Sequence, residues 1–207
     1  MWAPVASALA NRHTAICADL RGYGESSKPL DDPGASSYAF HAMALDQPEA
    51  MQALSFDRFH LNGHDRGDRV AHRLALDHPQ AASSLTVMDI APTLAMFEGA
   101  DRHLAQSYWH LFFLAQLAPF SKHLIEGDPD FFFEVCLTAW GGMALSDFDP
   151  ELLDHYRRSW RDKRMIHGSC AGYRAAAIMD LEHDAADAGR MIDLPHAGAL
   201  WRFTRVG

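Results

Sequence analysis

With 207 residues, 48% of them hydrophobic, the chain can bury a sizeable core, and a net charge of −9 excludes the basic footprint of a nucleic-acid binder. Cys17, Cys136 and Cys170 are scattered and odd in number, which suits a reducing, cytoplasmic setting better than a disulfide framework. No run of about 18 apolar residues reads as a membrane span, and the histidines fall into no metal-ligand spacing, so neither a metal nor a cofactor is expected.

Trp2, Val5 and Leu9 give helical spacing without the basic residues that open a signal peptide. Residues 14–19 read as a buried strand with Cys17 packed inside. A Gly/Ser/Pro-rich loop follows from Arg21 to about Ser37. Residues 38–55 then read as a helix, with Phe40, Met43, Ala44, Met51 and Leu54 on one face and Pro48 placed to kink it. Phe59-His60-Leu61 is a short strand, Val70 to Leu76 a helix ending before His78-Pro79, and Ser84 to Ile90 another strand. This alternation argues for a parallel α/β sheet. From about residue 93 to 185 the pattern changes to helices with aromatic faces, including Phe97, Tyr108, Trp109, Phe131, Phe132, Phe133 and Trp140. Phe112 and Phe113 read as packing residues. The expected organisation is a core over 1–92, a helical cap over 93–185 lying on the carboxyl ends of the strands, and a return to the core over 186–207.

The most informative stretch is Gly63-His64-Asp65-Arg66-Gly67. Small-x-nucleophile-x-small between a strand and a helix is the pattern of a nucleophile elbow, and the flanking glycines are expected where side chains would collide with the adjoining strand and helix. An aspartate at that position suits displacement at saturated carbon, with an alkyl ester formed on the enzyme, where serine would suit acyl transfer. Arg66 and Arg69 lie three apart at the start of the helix, where its dipole already favours an anion, and two guanidinium forks there can grip a carboxylate. The plainer alternative is that both arginines pair with surface acids, of which the chain offers 27.

Gly63-His64-Asp65-Arg66-Gly67-x-Arg69 resembles the signature of the haloacetate and fluoroacetate dehalogenases. The similarity includes Asp19-Leu20-Arg21-Gly22-Tyr23-Gly24-x-Ser26, Met88-Asp89-Ile90-Ala91-Pro92-Thr93 and Tyr108-Trp109-His110. The Asp-x-Arg-Gly-x-Gly-x-Ser segment is a general signal of hydrolase folds, and the elbow is the discriminating piece. The resemblance implies an α/β-hydrolase fold with an inserted helical cap and a small halogenated carboxylic acid as substrate. It implies no nucleic-acid or membrane partner and leaves room for a homodimer. Asp65 would be the nucleophile and Asp89 the acid that orients a catalytic histidine. Arg66 and Arg69 would hold the substrate carboxylate, and His110 and Tyr173 would receive the halide. Leu111 stands where the family has a halide-binding tryptophan, and Asp68 where it commonly has glycine.

Two parts of the family pattern have no match. A His-Gly-Phe-Pro-like loop precedes the segment matching Met1-Trp2 in the family, and a post-strand Gly-His carries the base. His183 and His196 stand in no such context, and residues 202–207 depart from the pattern as a frame shift would. A chain truncated at both ends, with an incomplete sheet and no turnover, is the expectation. An epoxide hydrolase of the same fold, using Tyr108 and Tyr173 as donors, is the second reading. A non-catalytic small-carboxylate binder is the third.

Overall fold

In the computed structural model, residues 2–30, 34–88, 91–139 and 143–199 are described. Three strands, β1 (Phe59–Asn62), β2 (Ala82–Met88) and β3 (His196–Ala199), form a parallel sheet in the order β1-β2-β3. Helix α1 (Ala3–Leu9) and α2 (Phe40–Ala53) precede the sheet, and α3 (Arg66–Asp77) connects β1 to β2. Between β2 and β3 the chain forms α4 (Thr93–Glu98), α5 (Arg102–Ser107), α6 (Trp109–Leu114), α7 (Phe120–Gly127), α8 (Pro129–Thr138), α9 (Pro150–Trp160), α10 (Lys163–Ala177) and α11 (Met179–Ala186). No helix among the described residues is long and apolar enough to cross a membrane.

The elbow strand and helix form where the periodicity places them, and α3 begins earlier, at Arg66. Leu61 of β1 and Leu85 of β2 face Val70, Ala71 and Leu74 of α3 and Phe40, Met43 and Ala44 of α2. Leu74 is fully buried, so its truncation to alanine should cost about 2–5 kcal/mol. Helix α2 runs unbroken through a buried Pro48, but Leu54 is exposed and caps its end rather than joining the apolar face.

Helix α10 links the helical region to the sheet. From Met165 to Ala176 it is almost wholly buried. Ala171, Ala175 and Ala176 join the sheet core, Ile166, Cys170 and Tyr173 a second cluster with Leu114 and Ile125, and Met165 a third with Leu153 and Trp160. Phe113 packs against the second cluster, while Phe112 meets Phe97 edge to face at 5.9 Å.

The run 14–19 departs from expectation. It forms no strand, its residues are exposed, and Cys17 is exposed rather than packed. Strand character is a pairing property, and no described strand pairs with this run, so its apolar residues have nothing to lie against. The following loop is closed on itself: the Asp19 carboxylate accepts the Glu25 amide at 3.0 Å, and Ser26 donates to the Asp19 carbonyl at 2.6 Å. Arg21 reaches across to Asp46 of α2. Val5 and Leu9 of α1 are likewise exposed, so their helical spacing marks a helix but not a buried face. Trp140 lies outside the described residues.

Candidate active site

Asp65 sits at the N-cap of α3 with φ 51° and ψ −120°. That is left-handed backbone space, where an L-residue carries about 1–3 kcal/mol of strain. Aspartate at an N-cap ordinarily accepts from the first-turn amides, yet this side chain makes no capping hydrogen bond. It lines a pocket with Arg66, Arg69, Thr93, Leu111 and Tyr173 instead.

The glycines flanking Asp65 are not equivalent. A Cβ on Gly63 would lie 2.5 Å from the Asp68 Cα, so the turn closes only with glycine there. A Cβ on Gly67 would meet nothing within 4 Å among the described residues. The collision expected on both sides therefore exists on one, because the first turn of α3 folds back over Gly63 while Gly67 faces open space.

Arg66 is buried between two rings, its guanidinium carbon 5.1 Å from the centroid of Phe40 and 4.6 Å from that of Tyr173. Its Nε and Nη2 have no hydrogen-bond partner among the described residues. A Cβ on Gly172 would lie 2.6 Å from Nη2, so α10 admits the guanidinium because that position carries no side chain. Arg69 donates from Nη1 to Thr93 Oγ1 at 2.6 Å. Among the described residues neither arginine pairs with an acid, whereas Arg73, one turn further on, bridges Asp77 and Asp187. Pairing with acids thus describes the buried Arg73 and not the two arginines beside the elbow. Burial lowers the Arg69 pKa, and the Asp65 charge opposes that shift. A buried guanidinium with free donors is costly until an anion supplies acceptors.

The ring of His110 lies 6.0 Å from that of Tyr173. Burial pushes the imidazole down to about 4 against the opposing charge of Asp65, so at neutral pH it is uncharged and carries one N–H donor. Burial raises the Tyr173 hydroxyl, which keeps its proton and can donate. After burial, Asp65 is the strongest electrostatic influence on His110, Tyr173 and Arg69 alike. The carboxylate at the elbow is therefore the charge these three groups share. Leu111 lines the same pocket and offers no donor. Trp109 packs edge to face on Phe132 at 5.8 Å and against Phe113 at 6.1 Å, so it belongs to the aromatic packing of the helices.

Asp89 lies outside the described residues. Asp68 is fully buried, and its Oδ2 accepts the backbone amide of Met88, tying α3 to the last residue of β2. His183 faces Asp180, at 3.7 Å, and the His41 ring, at 4.2 Å. His196 begins β3 with its ring nitrogen 2.9 Å from the Leu194 carbonyl. Neither lines the pocket of Asp65. Burial pushes the thiols of Cys170 and Cys136 up to about 11 and about 12, so neither is a ready nucleophile. No group of three or more His, Cys, Asp or Glu among the described residues is placed to hold a metal ion.

Four contributors were not singled out as site residues by sequence reasoning. Phe40 forms one wall of the Arg66 slot, Gly172 makes room for it, and Thr93 fixes Arg69. Asp180 accepts the Phe40 amide at 2.9 Å, serving the first turn of α2, whose own N-cap residue is an alanine. The run of small residues from Gly168 to Gly172 was the available signal for a close approach to α10.

A strained carboxylate at a strand–helix elbow, on a parallel sheet with a long helical insertion, defines a hydrolase of the α/β type. The sequence model of the alpha/beta hydrolase fold family matches residues 1–188, and the chain belongs to that family. It is 54% identical over 195 residues to a fluoroacetate dehalogenase of Burkholderia sp, covering 94% of this chain and 64% of that protein. It is 28% identical over 186 residues to a soluble epoxide hydrolase of Corynebacterium sp. (strain C12), covering 88% of this chain and 63% of the relative. The chain thus spans a little under two thirds of the length of either relative. A crystal structure from Nostoc sp PCC 7120, described as an alpha/beta hydrolase, superposes with a TM-score of 0.92 at 43% identity, covering 95% of this chain and 67% of the other.

Proposed function

We propose that the pocket cleaves the carbon–halogen bond of a small 2-haloacid. An Asp65 carboxylate oxygen attacks the halogen-bearing carbon, a C–O ester bond forms, and the halide departs toward the N–H of His110 and the O–H of Tyr173. Arg66 and Arg69 hold the substrate carboxylate. Asp89 would orient a histidine base for hydrolysis of the ester, but neither His183 nor His196 lines the pocket, so the reaction expected of this chain stops at the ester. The observation that carries this reading is the uncapped Asp65 carboxylate beside a buried Arg66 whose Nε and Nη2 are unpaired. Similarity to the Burkholderia dehalogenase supports it. Epoxide opening is the second reading, favoured by the epoxide hydrolase relative and the protonated Tyr173, but a neutral epoxide leaves the Arg66 donors unserved. The proposal extends to a cytoplasmic protein and to self-association as a homodimer.

The test compares Asp65-dependent bromide release from bromoacetate and from neutral bromoacetamide. A charge-assisted contact of about 1.5–3 kcal/mol predicts preference for the acid by roughly ten- to hundredfold, lost in Arg69→Ala. Equal preference in both proteins would remove Arg69 from this role. Asp65-dependent consumption of a neutral epoxide faster than of bromoacetate would favour the second reading.

A further inference from the structure

The pocket of Asp65 has a neighbour. A cavity of about 120 Å³ lies between α3, β2, α4 and α11, with His72, Val87, Asp180 and Asp184 in its walls. Among the described residues only Arg69 and Thr93 line both spaces. They are joined by the 2.6 Å hydrogen bond from Arg69 Nη1 to Thr93 Oγ1. These two side chains, joined to each other, therefore face both spaces.

Thr93 is built to hold that pair. It is 5% exposed, so its side chain has little room to turn and Oγ1 is held where Arg69 reaches it. It opens α4, and the next amide, Leu94, donates to Asp184 of α11 at 3.2 Å. The position is thus pinned from the side of the second cavity, and Arg69 is pinned through it. A cavity only somewhat larger, about 150 Å³, is known to admit benzene. The adjoining space is therefore large enough for a short alkyl chain.

We propose that the Arg69–Thr93 pair is a partition that restricts the site to short acids, with Thr93 as a specificity-determining residue. The proposal rests on the reading of the Asp65 pocket as a carboxylate site. An acid longer than that pocket has this adjoining space to extend into, and the Arg69–Thr93 bond closes it. Each methylene that finds no room should cost about tenfold or more. Without the Thr93 hydroxyl, Arg69 Nη1 loses its acceptor, and the guanidinium can pivot about the carboxylate it still holds and open the adjoining space.

The experiment titrates the full chain with acetate, propionate, butyrate and hexanoate by NMR. In parallel, intact mass follows alkylation of Asp65 by the matching 2-bromoacids. The proteins are the wild type, Thr93→Ala, Thr93→Val and Thr93→Ser. The wild type should lose about tenfold or more in affinity and labelling between the two-carbon and four-carbon acids. Thr93→Ala and Thr93→Val should flatten that ratio to within about threefold, and Thr93→Ser should restore the cut-off. Thr93→Val keeps the bulk and loses the acceptor, so it carries the test if Thr93→Ala does not fold. A ratio unchanged in Thr93→Val would overturn the partition. Binding of no acid by any of the proteins would overturn both the partition and the carboxylate reading. A cut-off seen in binding without any alkylation would sink the dehalogenase reading and leave the partition standing.

Discussion

At the scale of single residues the site consists of groups denied their ordinary partners. Asp65 forgoes its helix cap, and two nitrogens of Arg66 forgo hydrogen bonds inside a sandwich of Phe40 and Tyr173. Such arrangements cost stability and are retained where a ligand supplies the missing contact. Leu111 is a second residue-level deficit, an apolar side chain lining the pocket where the resemblance places a halide donor. Fluoride concentrates its developing charge and depends most on donors. Leu111→Trp should therefore raise the fluoroacetate-to-chloroacetate ratio of the rates at which Asp65 is alkylated, and the recovery of even part of a donor worth about 2.7–4 kcal/mol would be visible. An unchanged ratio would place the halide elsewhere. Asp180 gives a prediction in pH. Burial pushes its carboxyl up to about 6 from 3.8, against the Phe40 amide and Arg66. Between those values the folded chain holds a proton that the unfolded chain has released, so this group's contribution falls as pH rises through the window. The change is on the order of 3 kcal/mol at most. His110 acts in the opposite sense, since its pKa is lowered to about 4 and the unfolded chain takes up that proton first as pH falls below 6.5. Comparing wild type with Asp180→Asn cancels the His110 effect. The wild type should lose stability relative to the variant between pH 4 and pH 6.5 in urea unfolding, and parallel curves would contradict the shift.

At the scale of elements, α3 and α10 between them make the site. The first turn of α3 crosses Gly63 so closely that Gly63→Ala must displace helix backbone, and a loss of at least about 1–3 kcal/mol is expected. Gly67 lies inside the same helix with open space at its Cβ, so Gly67→Ala should be neutral or stabilise by about 0.5–1 kcal/mol. Thermal unfolding of the two variants checks the contrast, and equal destabilisation would contradict it. The elbow was legible in the sequence because its spacing, strand and helix are local. The role of α10 was less so. Its small residues read as helix, but their packing on Arg66 depends on contacts roughly a hundred residues apart in sequence, which no local pattern records. The run 14–19 failed for a related reason, since an apolar run is a strand only when something pairs with it.

At the scale of the whole molecule, the parallel sheet, the long helical insertion after β2 and the juxtaposition of Asp65 with Arg66 and Arg69 follow from sequence pattern and motif. The boundary contributions of Thr93, Phe40 and Asp180 do not, because each acts through a hydrogen bond or ring contact with a distant segment. The net charge of −9 would repel an anionic substrate at long range, and the buried Arg66 with the half-buried Arg69 sets a local positive focus against it. All of this depends on Asp65 acting as a nucleophile toward carbon. The most direct test is intact-mass analysis of the chain after incubation with bromoacetate, followed by peptide mapping. The account predicts a single carboxymethyl ester on the peptide carrying Asp65, absent from Asp65→Asn and suppressed in Arg66→Ala and Arg69→Ala. An unmodified Asp65, or labelling that persists in Asp65→Asn, would contradict it.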